Sequence, residues 1–175
     1  MADFLPAVEN TIKWEGSKYT HELNDDGEGT KYGITEKYSF YRAIELGIIS
    51  RETNIKDLSE QQAVLIYKGL YWNPNILLSK INNQEIANKI FDGCVNMGSR
   101  TSIHIMQTTV NIVYKKKFKE DGVLTDELID FINKTDSKKL LNEYKKRLII
   151  HYEEIVTREQ EHKKFLKGWI NRANS

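Results

Sequence analysis

Apolar residues recur at intervals of three and four along nearly the whole chain, and nowhere does a strand-like alternation persist. Ala63, Ile66, Tyr67 and Leu70 form one such set; Ile86, Ile90, Phe91 and Cys94 form another. Ile103, Met106, Val110 and Val113 follow, then Leu128, Phe131 and Ile132, then Leu140, Tyr144, Leu148 and Tyr152. Residues so spaced share one face of a helix, the face that turns to a core. Only Pro6 and Pro74 could interrupt helices by lacking a backbone donor. The chain is therefore expected to be mainly α.

Punctuation divides this pattern. Asp3 can cap a first helix that runs to Glu15, where Gly16 stops it. Thr35 can cap a second, ending at Gly47, and Ser59 with Gln62 has the form of a capping box. Asn73-Pro74 closes the next helix, Gly98 separates one spanning about Asn83 to Asn96 from another beginning near Thr101, and Asp121-Gly122 makes a turn. Thr125 or Asp126 caps a short helix, and a long one begins near Ser137. Residues 17–35 are turn-rich, with room for a short hairpin around Asp25–Gly29. The stretch from Asn73 to Asn83 suggests a division into 1–80 and 81–175, either as two parts or within one compact unit.

Composition excludes several classes. With 175 residues, 39% hydrophobic and 29% charged, the chain suits one globular core and not a disordered segment. Net charge is +1, with a balance of −3 over residues 1–100 and +4 over 101–175. Near-neutrality and the lack of a basic recognition helix argue against nucleic acid. The Lys115–Lys119 run reads as a solvated helix end. Cys94, the sole cysteine, rules out an internal disulfide and lies in an apolar segment as a buried, inert thiol. His21, His104, His151 and His162 lack metal-ligand spacing, and Gly27-Glu28-Gly29 lacks the setting of a dinucleotide fingerprint. No metal or cofactor is therefore expected. No run of 18 apolar residues offers a membrane span, and the N-terminus has no signal-peptide core.

Glu15 sits where a carboxylate should not. Leu5, Val8 and Ile12 form a helical stripe whose next step is Glu15. A carboxylate on a core-facing stripe is either paired or partly desolvated, and desolvation disfavours its charged form. Beyond Gly16 it would face a polar loop containing Asp25, Asp26, Glu28 and Thr30. An acid opposite a carboxylate-rich loop is an arrangement that glycoside cleavage uses.

The stretch Glu15-Gly16-Ser17-Lys18-Tyr19, followed by Asp25-Asp26-Gly27-Glu28-Gly29-Thr30-Lys31-Tyr32-Gly33-Ile34-Thr35, resembles the signature of glycoside hydrolase family 108. So do Phe91-Asp92-Gly93-Cys94-Val95-Asn96-Met97-Gly98, then Gln107 with Asn111, Asp121-Gly122, and Gly168-Trp169-Ile170-Asn171-Arg172. The last three groups match the family's predicted peptidoglycan-binding region. The resemblance implies a lysozyme-like fold with an N-terminal catalytic part and a helical C-terminal part.

By the same resemblance, Glu15 would be the general acid of an N-acetylmuramidase, cutting the bond between N-acetylmuramic acid and N-acetylglucosamine in peptidoglycan. Asp25 would be the second carboxylate, with Asp26 and Glu28 as alternatives, because the family's Gly-Gly reads Gly27-Glu28 here and the spacing is one residue longer. Thr30 would orient water. Tyr19, Asp26, Glu28, Tyr32, Asn96 and Gln107 would touch substrate, and Tyr19, Tyr32, Trp72 and Trp169 offer ring platforms for sugars. Lytic transglycosylase chemistry and a non-catalytic wall-binding or secretion-accessory role are the rival readings. A monomer made in the cytoplasm would act on the wall after release by a holin or an export system.

Overall fold

The computed structural model describes residues 1–21, 29–72 and 77–175. Eight α-helices lie among them: α1 (Phe4–Glu15), α2 (Tyr41–Glu45), α3 (Glu60–Tyr71), α4 (Gln84–Met97), α5 (Ser99–Tyr114), α6 (Asp126–Lys134), α7 (Ser137–Arg158) and α8 (Lys163–Asn174). A three-stranded antiparallel sheet, β1 (Thr20–His21), β2 (Gly29–Lys31) and β3 (Ile34–Thr35), sits between α1 and α2. Thr20 pairs with Thr30, and Thr30 in turn with Thr35. The tip of the β1–β2 hairpin lies outside the described residues.

Helix α4 is the axis of the molecule. Asn83 caps it by accepting from the Ile86 amide, and Gly98 both ends it and precedes α5. Its buried residues, Ile86, Ala87, Lys89, Ile90, Phe91, Asp92, Gly93 and Cys94, leave hardly a free face, because α1, α3, α5 and α7 all pack on it. Each fully buried Ile or Phe there contributes about 1.5–3 kcal/mol. Between α4, α5 and α7, Ser102 Oγ donates to the Ile90 carbonyl and shares a 2.8 Å hydrogen bond with Tyr144 Oη. A single apolar cluster runs from Ala2 to Ala173.

The helix signals are largely obeyed. Ser59 and Gln62 form a reciprocal capping box, Thr125 caps α6, and Leu140, Tyr144, Leu148 and Tyr152 are the buried stripe of α7. Three details differ. The expected second helix opens as a π-type turn, Glu36–Phe40, which Thr35 does not cap with its side chain. The motif Gly168-Trp169-Ile170-Asn171-Arg172 lies within a further helix, α8, beyond the long one that begins near Ser137. The stripe on α1 is rotated: Leu5 is 61% exposed, whereas Ala7, Val8 and Thr11 are buried. Close approach to α4 favours small side chains at that face, so Ala7 and Thr11 go inside and the bulkier Leu5 stays out.

Candidate active site

Glu15 stands one turn beyond Thr11, at the edge of the core where α1 ends against Gly16. Its side chain is 20% exposed, and Oε1 lies 2.8 Å from Arg172 Nη1 on α8. Oε2 faces Gly33, in the turn between β2 and β3. A Cβ added to Gly33 would come within 2.5 Å of Oε2, and its φ of +71° is one that side chains rarely adopt. Gly33 is thus required twice, by the turn and by the carboxylate it admits.

Arg172 is the hub. Its guanidinium is 10% exposed and meets Asp92, itself 12% exposed, with Nε 3.0 and 3.2 Å from the two carboxylate oxygens and Nη2 2.9 Å from Oδ1. Nη1, besides Glu15, reaches Asn96 Oδ1 at 3.4 Å. Burial works against the arginine's charge, but the neighbouring Asp92 and Glu15 outweigh it and hold the proton more firmly than usual. Thr11 Oγ1 donates to Asp92 at 3.4 Å, and Lys89 Nζ lies 3.9 Å from its other oxygen. Burial pulls Lys89 down to about 8 against the pull of Asp92. Two acids and two bases thus share one largely dry region.

The wall beside Glu15 is aromatic. Tyr67 Oη donates to the Tyr32 carbonyl at 2.7 Å, holding the β2–β3 turn against α3. Burial, then the charge of Glu15, keep the Tyr67 phenol protonated far beyond its usual range. Tyr19 lies against Gly29 of β2, with the Lys56 ammonium 5.6 Å over its ring. Thr30, half-buried, occupies the centre of the sheet.

The expected residues are therefore distributed unevenly. Glu15 and Asn96 meet through Arg172, and Tyr32 adjoins the Gly33 that faces Glu15. Asn96 also donates to Tyr152 Oη at 2.7 Å, so its amide is bound within the protein. Asp25, Asp26 and Glu28 lie outside the described residues. Gln107 is 2% exposed, and its amide binds Asp121 Oδ1, the Val123 carbonyl and the Gly122 amide. A side chain so enclosed braces a turn. Trp72 packs against Phe4 and Phe91, and Trp169 stacks on Tyr152 with centroids 5.2 Å apart. Cys94 is buried, its thiol pushed up to about 11, which fits an inert role.

Sequence reasoning passed over Arg172, Asp92 and Lys89 as site residues, although the first two stood in quoted motifs. Arg172 had a usable signal. Leu166, Trp169 and Ala173 step along one face of α8, and Arg172 falls on that stripe as a cation, just as Glu15 falls on its own as an acid. Among the described residues one trio, Glu159, Glu161 and His162, brings three potential metal-ligand atoms within 4.8 Å. It is an exposed cluster whose His162 Nδ1 lies 3.3 Å from Glu159. No described helix is long and apolar enough to cross a membrane.

The fold has its counterpart among known structures. The structure of Brucella abortus SagA shares this fold with a TM-score of 0.75, at 21% sequence identity, over 98% of this chain and 89% of that one. No curated protein matches the chain. The fold is mainly α and lysozyme-like. A family model described as Glycosyl hydrolase 108 matches residues 8–98, a span that holds Glu15, Gly33, Asp92 and Asn96 but stops well short of Arg172. Matched over more than half its length, the chain belongs to the glycosyl hydrolase 108 family.

Proposed function

We propose that this glycoside hydrolase cleaves peptidoglycan at the β-1,4 bond between N-acetylmuramic acid and N-acetylglucosamine, with Glu15 as general acid. The observation that carries the reading is the placement of the Glu15 carboxylate: largely buried at a helix end, tethered through Oε1, and with Oε2 turned to the Gly33 turn of the sheet. Oε1 can accept from Arg172 whether or not Oε2 carries a proton, so the tether and the proton occupy different atoms.

In the reaction Oε2 gives its proton to the bridging oxygen as that oxygen parts from the anomeric carbon. Water then completes the anomeric carbon, and a second carboxylate takes up the proton that the water releases. Asp25 is the residue proposed for that role, with Asp26 and Glu28 as alternatives. Thr30, on the strand that leads into the Gly33 turn, would orient the water, and Tyr19 and Tyr32 would line the glycan's path. The substrate is the wall itself, reached without any described membrane-crossing helix.

The test is digestion of purified peptidoglycan by the native protein and by Glu15→Gln, with fragment ends identified by mass. Gln keeps the shape and can still meet Arg172, but it cannot give up a proton in this way. Reducing muramic-acid ends, lost in the variant by about 10²–10⁴-fold in rate, are expected. Anhydro ends would assign a lytic transglycosylase. Equal wall binding by both proteins with no cleavage would leave a binding role and end the enzymatic reading.

A further inference from the structure

We propose that Arg172, outside the residues that match the family model, is a positioning residue for the reaction: anchored by Asp92, it holds the Glu15 carboxylate in its working orientation. The inference rests on Glu15 being the acid and adds the device that aims it.

Three features of the geometry lead there. First, the guanidinium divides its faces. Asp92 accepts from Nε with both oxygens and lies 2.9 Å from Nη2 as an ion pair, while Nη1 lies 2.8 Å from Glu15 Oε1. Because the fork is rigid and planar, fixing one edge on α4 fixes where the other points on α1. Lysine, a point charge on a flexible stem, could not relay that orientation.

Second, the arginine is itself held at its backbone. Lys89 Nζ donates to the Arg172 carbonyl at 2.8 Å and to Ser175 Oγ at 3.4 Å. Lys145 Nζ donates to the carbonyls of Asn174 and Ser175 at 2.9 and 3.0 Å. Two ammonium groups thus grip the carbonyl end of α8, where a helix dipole favours cations. Asn96 supports Nη1 from the side and is itself tied to Tyr152.

Third, the arrangement is a poor device for stability alone. Charges taken out of water lose about as much in hydration as they recover from one another, and apolar residues would fill the same space as well. Such a network is better explained by what it orients. Asp92 matters here a second time: it offsets the guanidinium, so that Glu15 is tethered by an arginine already engaged with another acid.

The experiment measures kcat and KM on soluble glycan strands released from peptidoglycan, for the native protein, Arg172→Ala and Arg172→Lys. A carboxylate set adrift by an ångström costs about 10²-fold. The expectation for Arg172→Ala is therefore a fall in kcat of that order, with KM unchanged and part of the rate restored by added guanidinium well below denaturing concentrations. Arg172→Lys should retain the fold and show an intermediate kcat. Should Arg172→Ala fail to fold, the kcat-against-KM split in Arg172→Lys decides the matter.

A folded Arg172→Ala variant with native kcat overturns the inference while leaving the acid role of Glu15 intact. A rise in KM at constant kcat also overturns it, since the arginine would then be binding substrate. If the native protein cuts no glycan, the proposed function fails, and the positioning role fails with it.

Discussion

Two polar clusters in this molecule look alike in sequence and differ in what they leave over. One gathers Glu15, Asp92, Arg172 and Lys89 where α1, α4 and α8 meet. The other gathers Gln107, Asn111, Glu120 and Asp121 where α5 meets the segment that follows it. In the second cluster both amide side chains, and one carboxylate, are engaged by the main chain. Asn111 exchanges hydrogen bonds with the backbone of Phe118, Gln107 does so with Gly122 and Val123, and Thr108 donates to Glu120. Asp121 is held down to about 2, chiefly by the Val123 amide and then by Gln107 and Lys119. In the first cluster Arg172 joins the two carboxylates side chain to side chain, Lys89 alone donating to a main-chain carbonyl, and one carboxylate oxygen faces a glycine. Polar residues that satisfy the backbone hold a shape, whereas those that pair with each other can orient a group for chemistry.

The sharpest way to break this contrast is to remove a charge from the first cluster. Asp92→Ala leaves Arg172 in a dry site with only Glu15 as its acidic partner. Breaking a buried pair from one side costs about 3–5 kcal/mol, and chemical denaturation should show a loss of that size. Activity should fall further than the folded fraction, because the guanidinium is no longer anchored. A loss below about 1 kcal/mol, the range of exposed pairs, would mean that water reaches the cluster and that the contrast is overdrawn.

Lys89 gives a second, somewhat smaller test through pH. The groups that face it are Asp92 on its own helix, Lys145 on α7 and Arg172 on α8. Its folded value of about 8 lies below the usual 10.5, so between those limits the unfolded chain holds a proton that the folded one has released. Stability from this residue therefore rises with pH across that window and is lost as pH falls through 8. At about 1.36 kcal/mol for each pKa unit, the displacement is worth ~3 kcal/mol. Melting temperatures of the native protein and Lys89→Met, followed from pH 7 to 10.5, should converge or cross as the native protein gains. Parallel curves would place Lys89 in contact with water.

How much of this could be read beforehand depends on whether the cause was local. The capping box of Ser59 and Gln62, the cap at Asn83 and the stripe of α7 each sit within a few residues, and each is where its spacing put it. Glu15 was legible for the same reason, as an acid out of place on one helix. The face of α1 was misread because Leu5 outweighs Ala7 and Thr11 on any apolar scale, whereas the neighbouring α4 selects for size. Arg172 was passed over because its partners lie at the other end of the chain. A motif can include such a residue without revealing what it touches. Gln107 is the converse: its place in a matched motif suggests substrate, and what the structure adds is its set of hydrogen bonds to the turn.

Gln107 also supplies the mildest test, and it comes from the other side of the comparison. Gln107→Ala leaves the buried amide of Gly122 without its acceptor, 2.8 Å away in the native protein, and frees the Val123 carbonyl. An unsatisfied buried donor costs about 1–3 kcal/mol, so the melting temperature should drop by a few degrees. The turn itself is constrained, since Gly122 has a φ of +75° and lies where a Cβ would strike the Arg100 carbonyl, so the loop has little freedom to find a new partner. The rate per folded molecule should not change, and neither should KM. A raised KM in a folded Gln107→Ala would mean that this turn meets the glycan after all. The two clusters would then differ in which part of the substrate they serve, with the first still holding the carboxylate that cuts.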